Sequence, residues 1–381
     1  MSRPVEAGIA GEPRPPQPFR PFFVLAALDA IAGVLPWLVS GNPPGPEWHR
    51  DELLFGMVPA VMAGFLLTAL PRWTRTAPIS RAGLNALLVF WCLARIAHAG
   101  PPDFARLLSA GFVLTLVAIL AHRIAAVRKS REYKVVALLI LLGMAPLLPT
   151  AVSPRLALAS ALGLVAIIAG RIVPALGGAY LALHGLKPAR RLPMPLEYAS
   201  ALVLAVALAG WCFGIETGGL VSGLAAALQL ARLLSWQGWQ VARHPGLLAL
   251  HLAYLCLPAG LAVRALCEAG QDLLGGNAEI HLWSTGAIGL MCLAVMASMI
   301  RRQTGRPFSS STTATAALVF AMAVIPFRLL AQTHVEIWLV PAALCWVAAF
   351  ALFLAAFGPI LLQPATGPRP TRSAVSGRAD R

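Results

Sequence analysis

The chain has 381 residues, of which 58% are hydrophobic and only 12% charged. Ordinary soluble domains carry roughly 45–50% apolar and about 25% charged residues, so a water-soluble globule is excluded. The formal net charge of +15 would point to nucleic acid in a soluble chain. Here the basic residues sit in short loops between apolar runs, not in a patch interleaved with aromatics, so nucleic acid is excluded as a partner and the charge reports topology. Strand-type alternation is absent, which favours helices that satisfy their own backbone hydrogen bonds over a closed barrel.

In chain order, residues 1–20 are rich in Pro and Arg and read as a flexible cytoplasmic tail. The first apolar run contains Asp29 and reads as a retained helix, not a cleaved signal. Hydropathy and the basic or Pro/Gly punctuation predict about twelve spans, near 21–40, 53–70, 82–99, 104–127, 135–150, 156–183, 198–214, 217–233, 246–267, 279–300, 312–332 and 335–362. The fifth is short and ends in Pro146 and Pro149, which predicts a kink. Residues 363–381 are polar, basic and Pro-containing and cannot bury a core, so they read as a disordered tail. The expected fold class is therefore all-α, a polytopic membrane helix bundle over 21–362 with the lipid bilayer as partner.

Loop charge tests the topology, because Lys and Arg collect in cytoplasmic loops. Alternate loops carry Arg72, Arg75 and Arg81; Arg123, Arg128, Lys129, Arg131 and Lys134; Lys187, Arg190 and Arg191; Arg232 and Arg243; and Arg301, Arg302 and Arg306. The intervening loops carry Glu47, Asp51 and Glu52; Asp103; Glu216; Glu268, Asp272 and Glu279; and Glu336, with Arg50, Arg106 and Arg155 as a basic minority. Twelve crossings with both termini cytoplasmic fit this bias. A faint internal echo links Trp48–Pro78 and Ile280–Pro307: a His opens each helix, Gly residues follow within a few turns, and an Arg-x-Thr segment closes it.

The eight histidines fall into layers when depth is taken at about 1.5 Å per residue. His49, His281, His98 and His334 lie near the outer face, where they could share a site. His122, His184 and His244 lie at the inner edge. His251 is about 12 Å of helix beyond Arg243, within the inner part of the membrane. One metal ion does not readily span both layers. His49 and Glu52 stand at i and i+3, the spacing of a ligand and its supporting acceptor, and equally of a polar helix cap. Gly286 and Gly289 after His281 permit either tight helix packing or a flat ligand against the backbone. An ionisable group in an apolar helix is expensive and usually functional, which singles out His251, Arg171 and Asp29; a hydrogen-bonded packing role is the plain alternative for His251. Arg171 needs an anion or carbonyls at depth. The six cysteines show no paired spacing and read as packing residues. No phosphate-cradling loop, nucleophile elbow or zinc spacing occurs. Residue chemistry alone leaves two options, a haem or metal membrane protein and a transporter with polar residues at depth.

Along most of its length the sequence also resembles the NnrS family of bacterial haem- and copper-containing membrane proteins associated with nitric oxide and denitrification. The resemblance is carried by Arg20-Pro21-Phe22-Phe23, Trp48-His49 through Glu52, Leu54-Phe55-Gly56, Ala63-Gly64-Phe65 with Arg72-Trp73-Thr74, Gly170-Arg171 with Pro174, Leu250-His251-Leu252 with Tyr254, His281 with Gly286 and Gly289, and Thr304-Gly305-Arg306-Pro307. It implies haem as cofactor, with His49, His281 and His251 as candidate metal ligands and Arg171 and Arg306 as further cofactor contacts. Within that frame His49 and His281 are expected to form an outer centre and His251 an inner centre or packing residue, with Arg171 as a partner for a haem propionate. Two histidines of the family pattern are replaced, by Asp51 and Gln303, and the segment after Pro174 departs from it, so copper is less expected than haem. The implied function is nitric oxide handling or nitrosative-stress tolerance in the bacterial inner membrane. The competing expectations are a haem-free transporter, with Asp29, Arg171 and His251 along its path, and a partner of a respiratory complex. Catalytic residues are unassigned, because no proton-donating carboxylate pair with a clear role is visible in the sequence.

Overall fold

The computed structural model of the protein describes residues 15–40, 44–127, 132–187 and 192–363. Most of the predicted N-terminal tail, the C-terminal tail from residue 364, and the loop residues Arg128, Lys129, Arg131, Arg190 and Arg191 lie outside them. Among the described residues all regular structure is helical. Ten helices are long and apolar enough to cross a membrane: α1 Phe19–Val39, α2 Pro46–Thr74, α3 Arg81–Ala99, α4 Pro102–Ala126, α6 Ser153–Leu183, α7 Met194–Phe213, α9 Pro245–Glu268, α10 Ala278–Gln303, α11 Thr312–Leu330 and α12 Val335–Leu362. The fifth and eighth predicted spans are present as shorter helices, α5 Tyr133–Leu147 and α8 Leu220–Ser235. At about 1.5 Å per residue neither alone matches the roughly 30 Å of a bilayer core.

The helix starts follow from the sequence. Proline opens α2, α4 and α9 at Pro46, Pro102 and Pro245, where its missing N–H is not needed. Ser80 and Ser311 cap α3 and α11 by accepting from Gly83 N and Ala314 N. His244 caps α9: its Nδ1 accepts from Leu247 N at 3.2 Å and its Nε2–H donates to Phe308 O at 3.2 Å, which requires the neutral ring. Burial holds that ring below the usual histidine pKa, in keeping with this role. The kink predicted at the end of the fifth span is a tight 3-10 turn, Ala145–Leu147, that closes α5.

Two long-range contacts orient the bundle. Arg20, at the start of α1, donates to Gln363 O at 2.8 Å and to Ile360 O, so the first and last helices meet at one end. Arg72 donates to Gln303 Oε1, which joins the last turns of α2 and α10. We call this the terminal end and the opposite one the cavity end.

The internal echo corresponds to a shared geometry. α2 and α10 bury the largest shares of their length, and each opens as a short α segment, widens into a π-helix at Leu53–Met57 or Leu282–Leu290, and resumes as α. In α2 the widening precedes Pro59, which lacks the N–H that a regular helix would offer to Phe55 O. Such π segments are rare and frequent at functional sites.

The glycines of α10 serve packing: a Cβ on Gly286 would strike Cys256, and one on Gly289 would strike Trp346. A still closer approach is at Gly260 of α9, where the fully buried Trp283 of α10 fills the space of a side chain and donates from Nε1 to Leu257 O at 3.2 Å. Gly260→Ala should lower the midpoint of thermal unfolding in detergent, and Gly260→Val should lower it further. The expected cost is about 1–3 kcal/mol, typical of overpacking. Unchanged midpoints for both variants would contradict this packing.

Candidate functional site

A cavity of about 530 Å³ opens at the cavity end, lined by α1, α2, α6, α7, α10, α11 and α12. Its volume lies within the roughly 300–1,000 Å³ range of small-molecule and cofactor sites. His49 and His281, each beside a π segment, both line it. Trp37, Trp211 and Trp346 supply flat apolar walls, and Arg50, Arg155 and Arg328 place guanidinium groups on the lining, against one carboxylate, Glu47.

Both rings are fixed from behind. Gly33, with the turn at Val34 and Pro36 that follows it, ends the regular part of α1; Trp37 N bonds to Val34 O and leaves Gly33 O free of a helical partner. His49 Nδ1 donates to that carbonyl at 2.8 Å, and Trp37 packs on the ring with centroids 6.0 Å apart. His281 Nδ1 lies 3.0 Å from Asn277 O, the residue that opens α10 with φ 72°. A carbonyl can only accept, so Nδ1 carries the proton in each ring and Nε2 keeps its lone pair. This is how proteins orient a ligating histidine. Gln332 adds a second tether: with its amide oriented to suit its neighbours, Oε1 accepts from His281 Nδ1 at 3.2 Å and Arg328 Nη1 at 2.6 Å, while Nε2 donates to Gly276 O at 2.7 Å. Arg328 lies within electrostatic reach of both rings, and the two rings lie within reach of each other.

The other candidates lie elsewhere. His251 is buried about 9 Å of helix from the start of α9, in the terminal half; its Nδ1 bonds to Leu247 O at 2.7 Å, and its ring packs against Trp236 and Gly238. Arg171 is paired with Glu132 at 2.6 Å, so its anion is a side chain at the start of α5 and not a cofactor carboxylate. Arg306 is exposed beyond the end of α10. Of the five residues implied by the resemblance, the structure brings only His49 and His281 to one cavity. Glu52 does not support His49 but pairs with Arg95 at 2.7 Å. His98 turns to Ser109 and Glu52, and His334 lies exposed near Glu336, so neither joins the outer pair. Asp51 pairs with Arg50, and Gln303 lies at the terminal end about 33 Å of helix from His281.

Sequence reading passes over Arg328 and Gln332. Their signal is present in the chain: a cation and an amide at i and i+4 in an apolar run, one helical turn apart. A second buried network is also missed, in which Arg232 pairs with Glu197 at 2.9 Å and donates to Tyr254 Oη at 2.9 Å. Tyr254 donates to Gln229 Oε1, and Gln229 Nε2 to Ser200 O at 3.0 Å. Arg232 is thus a buried partner and not the loop charge that hydropathy suggests.

The residues present fit a haem: imidazole donors with free Nε2 atoms, apolar walls and guanidinium groups for carboxylates. For a copper ion they offer two imidazoles and no third donor: among the described residues no group of three or more His, Cys, Asp or Glu stands together. Ser284 lines the cavity whereas Cys256 and Cys292 are buried in the bundle. With Cys92 and Cys267 replaced, Ser284→Cys should therefore react with a small thiol reagent in the folded protein, and the four buried thiols, Cys212, Cys256, Cys292 and Cys345, only after unfolding. Failure of the introduced thiol to react before unfolding would contradict an accessible cavity.

No curated protein matches the sequence. A family model described as NnrS protein matches residues 16–365, which takes in every described helix and the whole cavity. The chain belongs to the NnrS family.

Proposed function

We propose that this NnrS-family membrane protein binds haem in the cavity between α2 and α10 and acts in nitric oxide handling or nitrosative-stress tolerance. The observation that carries the reading is the pair of imidazoles, His49 and His281, lining one cavity with each Nδ1 committed to a backbone carbonyl. Haem iron, when bound, supplies a coordination position for nitric oxide. The chain's part is to bind, orient and enclose. His281, tethered to both Asn277 and Gln332, is the better-fixed ligand, and His49 stands as the second imidazole. Arg328 and Arg155 would receive the propionate carboxylates, and the Trp walls would cover the macrocycle's faces.

In protein purified after expression with ample haem, His49→Ala and His281→Ala should each lower the haem-to-protein ratio severalfold, while His251→Ala should leave it unchanged. Arg328→Gln should weaken haem retention about 10–100-fold, as the loss of a charge-assisted hydrogen bond worth about 1.5–3 kcal/mol implies. Haem content that follows His251 alone would overturn the assignment, and a wild-type protein without a Soret band would return the reading to a transporter.

We further propose twelve crossings of a bacterial inner membrane with both termini cytoplasmic. The ends of α1 and α12 meet through Arg20, which calls for an even number of crossings. Ten long helices meet that condition only if α5 and α8 both cross or both do not. Their antiparallel order between neighbours, and the alternation of basic loops, favour crossing. Green fluorescent protein fused after Arg381 should fluoresce and alkaline phosphatase there should be inactive; the reverse pattern would refute this orientation.

A further inference from the structure

A second polar cluster stands on the side of the α2 π segment away from the cavity and is independent of what the cavity binds. Glu52 of α2 accepts from Arg95 Nη1 of α3 at 2.7 Å, and Arg95 Nη2 donates to Ser109 Oγ of α4 at 2.8 Å. His98 Nδ1 is 3.6 Å from Glu52 Oε1, and His98 Nε2 is 3.3 Å from Ser109 Oγ. Asp29 of α1 completes the group. Its side chain and Arg95 Nη1 both press on the point where Gly56 would carry a Cβ, so the bare glycine is what lets the second carboxylate reach the guanidinium's neighbourhood.

Asp29 is only 7% exposed, and its Oδ2 is buried with no hydrogen-bond partner. Among the described residues no cation lies within ion-pair distance of it, and its neighbour Arg95 is paired with Glu52. The ionisable groups that face Asp29 are Arg95 and Glu52. The other helices packed on α1 bring none to this turn: α2 beyond its π segment carries a charge only at Arg72, and α12 only at Glu336, both near helix ends. Two carboxylates therefore stand near one guanidinium that pairs with only one of them, an arrangement one positive charge short of neutrality unless His98 supplies it. A metal cation does not suit the gap, since hard cations need six or more oxygen ligands and the guanidinium repels them.

We infer that Asp29 is a proton-binding site within the membrane, carrying one exchangeable proton as a carboxylic acid while Glu52 and Arg95 remain an ion pair. The proton comes from bulk water and returns to it, and only the carboxyl O–H bond forms and breaks. His98, at the cavity end of α3 and in contact with Glu52, is the cluster member nearest that end's loops.

Infrared spectra of the full chain in lipid nanodiscs test this. At neutral pH the wild type should show the carbonyl band of a protonated carboxyl in apolar surroundings, shifted in D2O. The band should be lost in Asp29→Asn, moved in Asp29→Glu, and kept in His98→Gln. The Glu variant preserves the proposal's test if the Asn variant does not fold. Absence of the band in the wild type, its persistence in Asp29→Asn, or its discharge when sodium replaces choline in the buffer would overturn the proposal.

Discussion

Lipid cannot hydrogen-bond, so each polar group carried into the bundle has to find its partner inside the protein. That constraint organises the structure. The charged residues at depth are gathered into clusters: Asp29, Glu52, Arg95 and His98; Glu132 with Arg171; Glu197, Arg232, Tyr254 and Gln229. At the cavity end, Arg328 and His281 share Gln332. Breaking a buried pair leaves an uncompensated charge at a cost of about 3–5 kcal/mol, so these contacts fix helix register as firmly as packing does.

The cavity exists because two helices depart from regular geometry in the same way. α2 and α10 are the most enclosed helices, each carries a histidine at its fourth position, and each widens into a π segment soon after it. The widening shifts the helical phase between the opening turn and the buried body. The imidazole can then face the cavity while the body presents small residues to its neighbours: Gly56 toward Asp29 and Arg95, Gly286 toward Cys256, Gly289 toward Trp346. The carbonyl of Gly33, released by the irregular end of α1, and that of Asn277, which also accepts from His281 N, then hold the two rings.

The all-helical fold and most helix positions were legible in the sequence, because hydropathy over some twenty residues and proline at first turns are local signals. Depth along each helix grouped His49 and His281 with His98 and His334, and the family resemblance singled out the first two; the faint repeat linked α2 and α10 but carried no sign of their π segments. Partner choice was not legible. Arg171 carried no sign that Glu132, at the start of another helix, would be its anion, nor Glu52 that it would turn to Arg95 and away from His49. Helical periodicity ranks faces of one helix, whereas these pairs depend on how helices rotate against one another. Arg232 looked like a loop charge because its helix, α8, is short, yet its guanidinium reaches back to Ala166 O and Tyr254.

The family membership and the geometry meet at one claim, that the Nε2 atoms of His49 and His281 face a shared cofactor. Cryo-electron microscopy of the haem-supplied protein in nanodiscs tests it most directly. The account expects planar density between the two rings, edged by Arg328. Density beside His251 instead, or a cavity closed by its own side chains with the imidazoles turned outward, would contradict it.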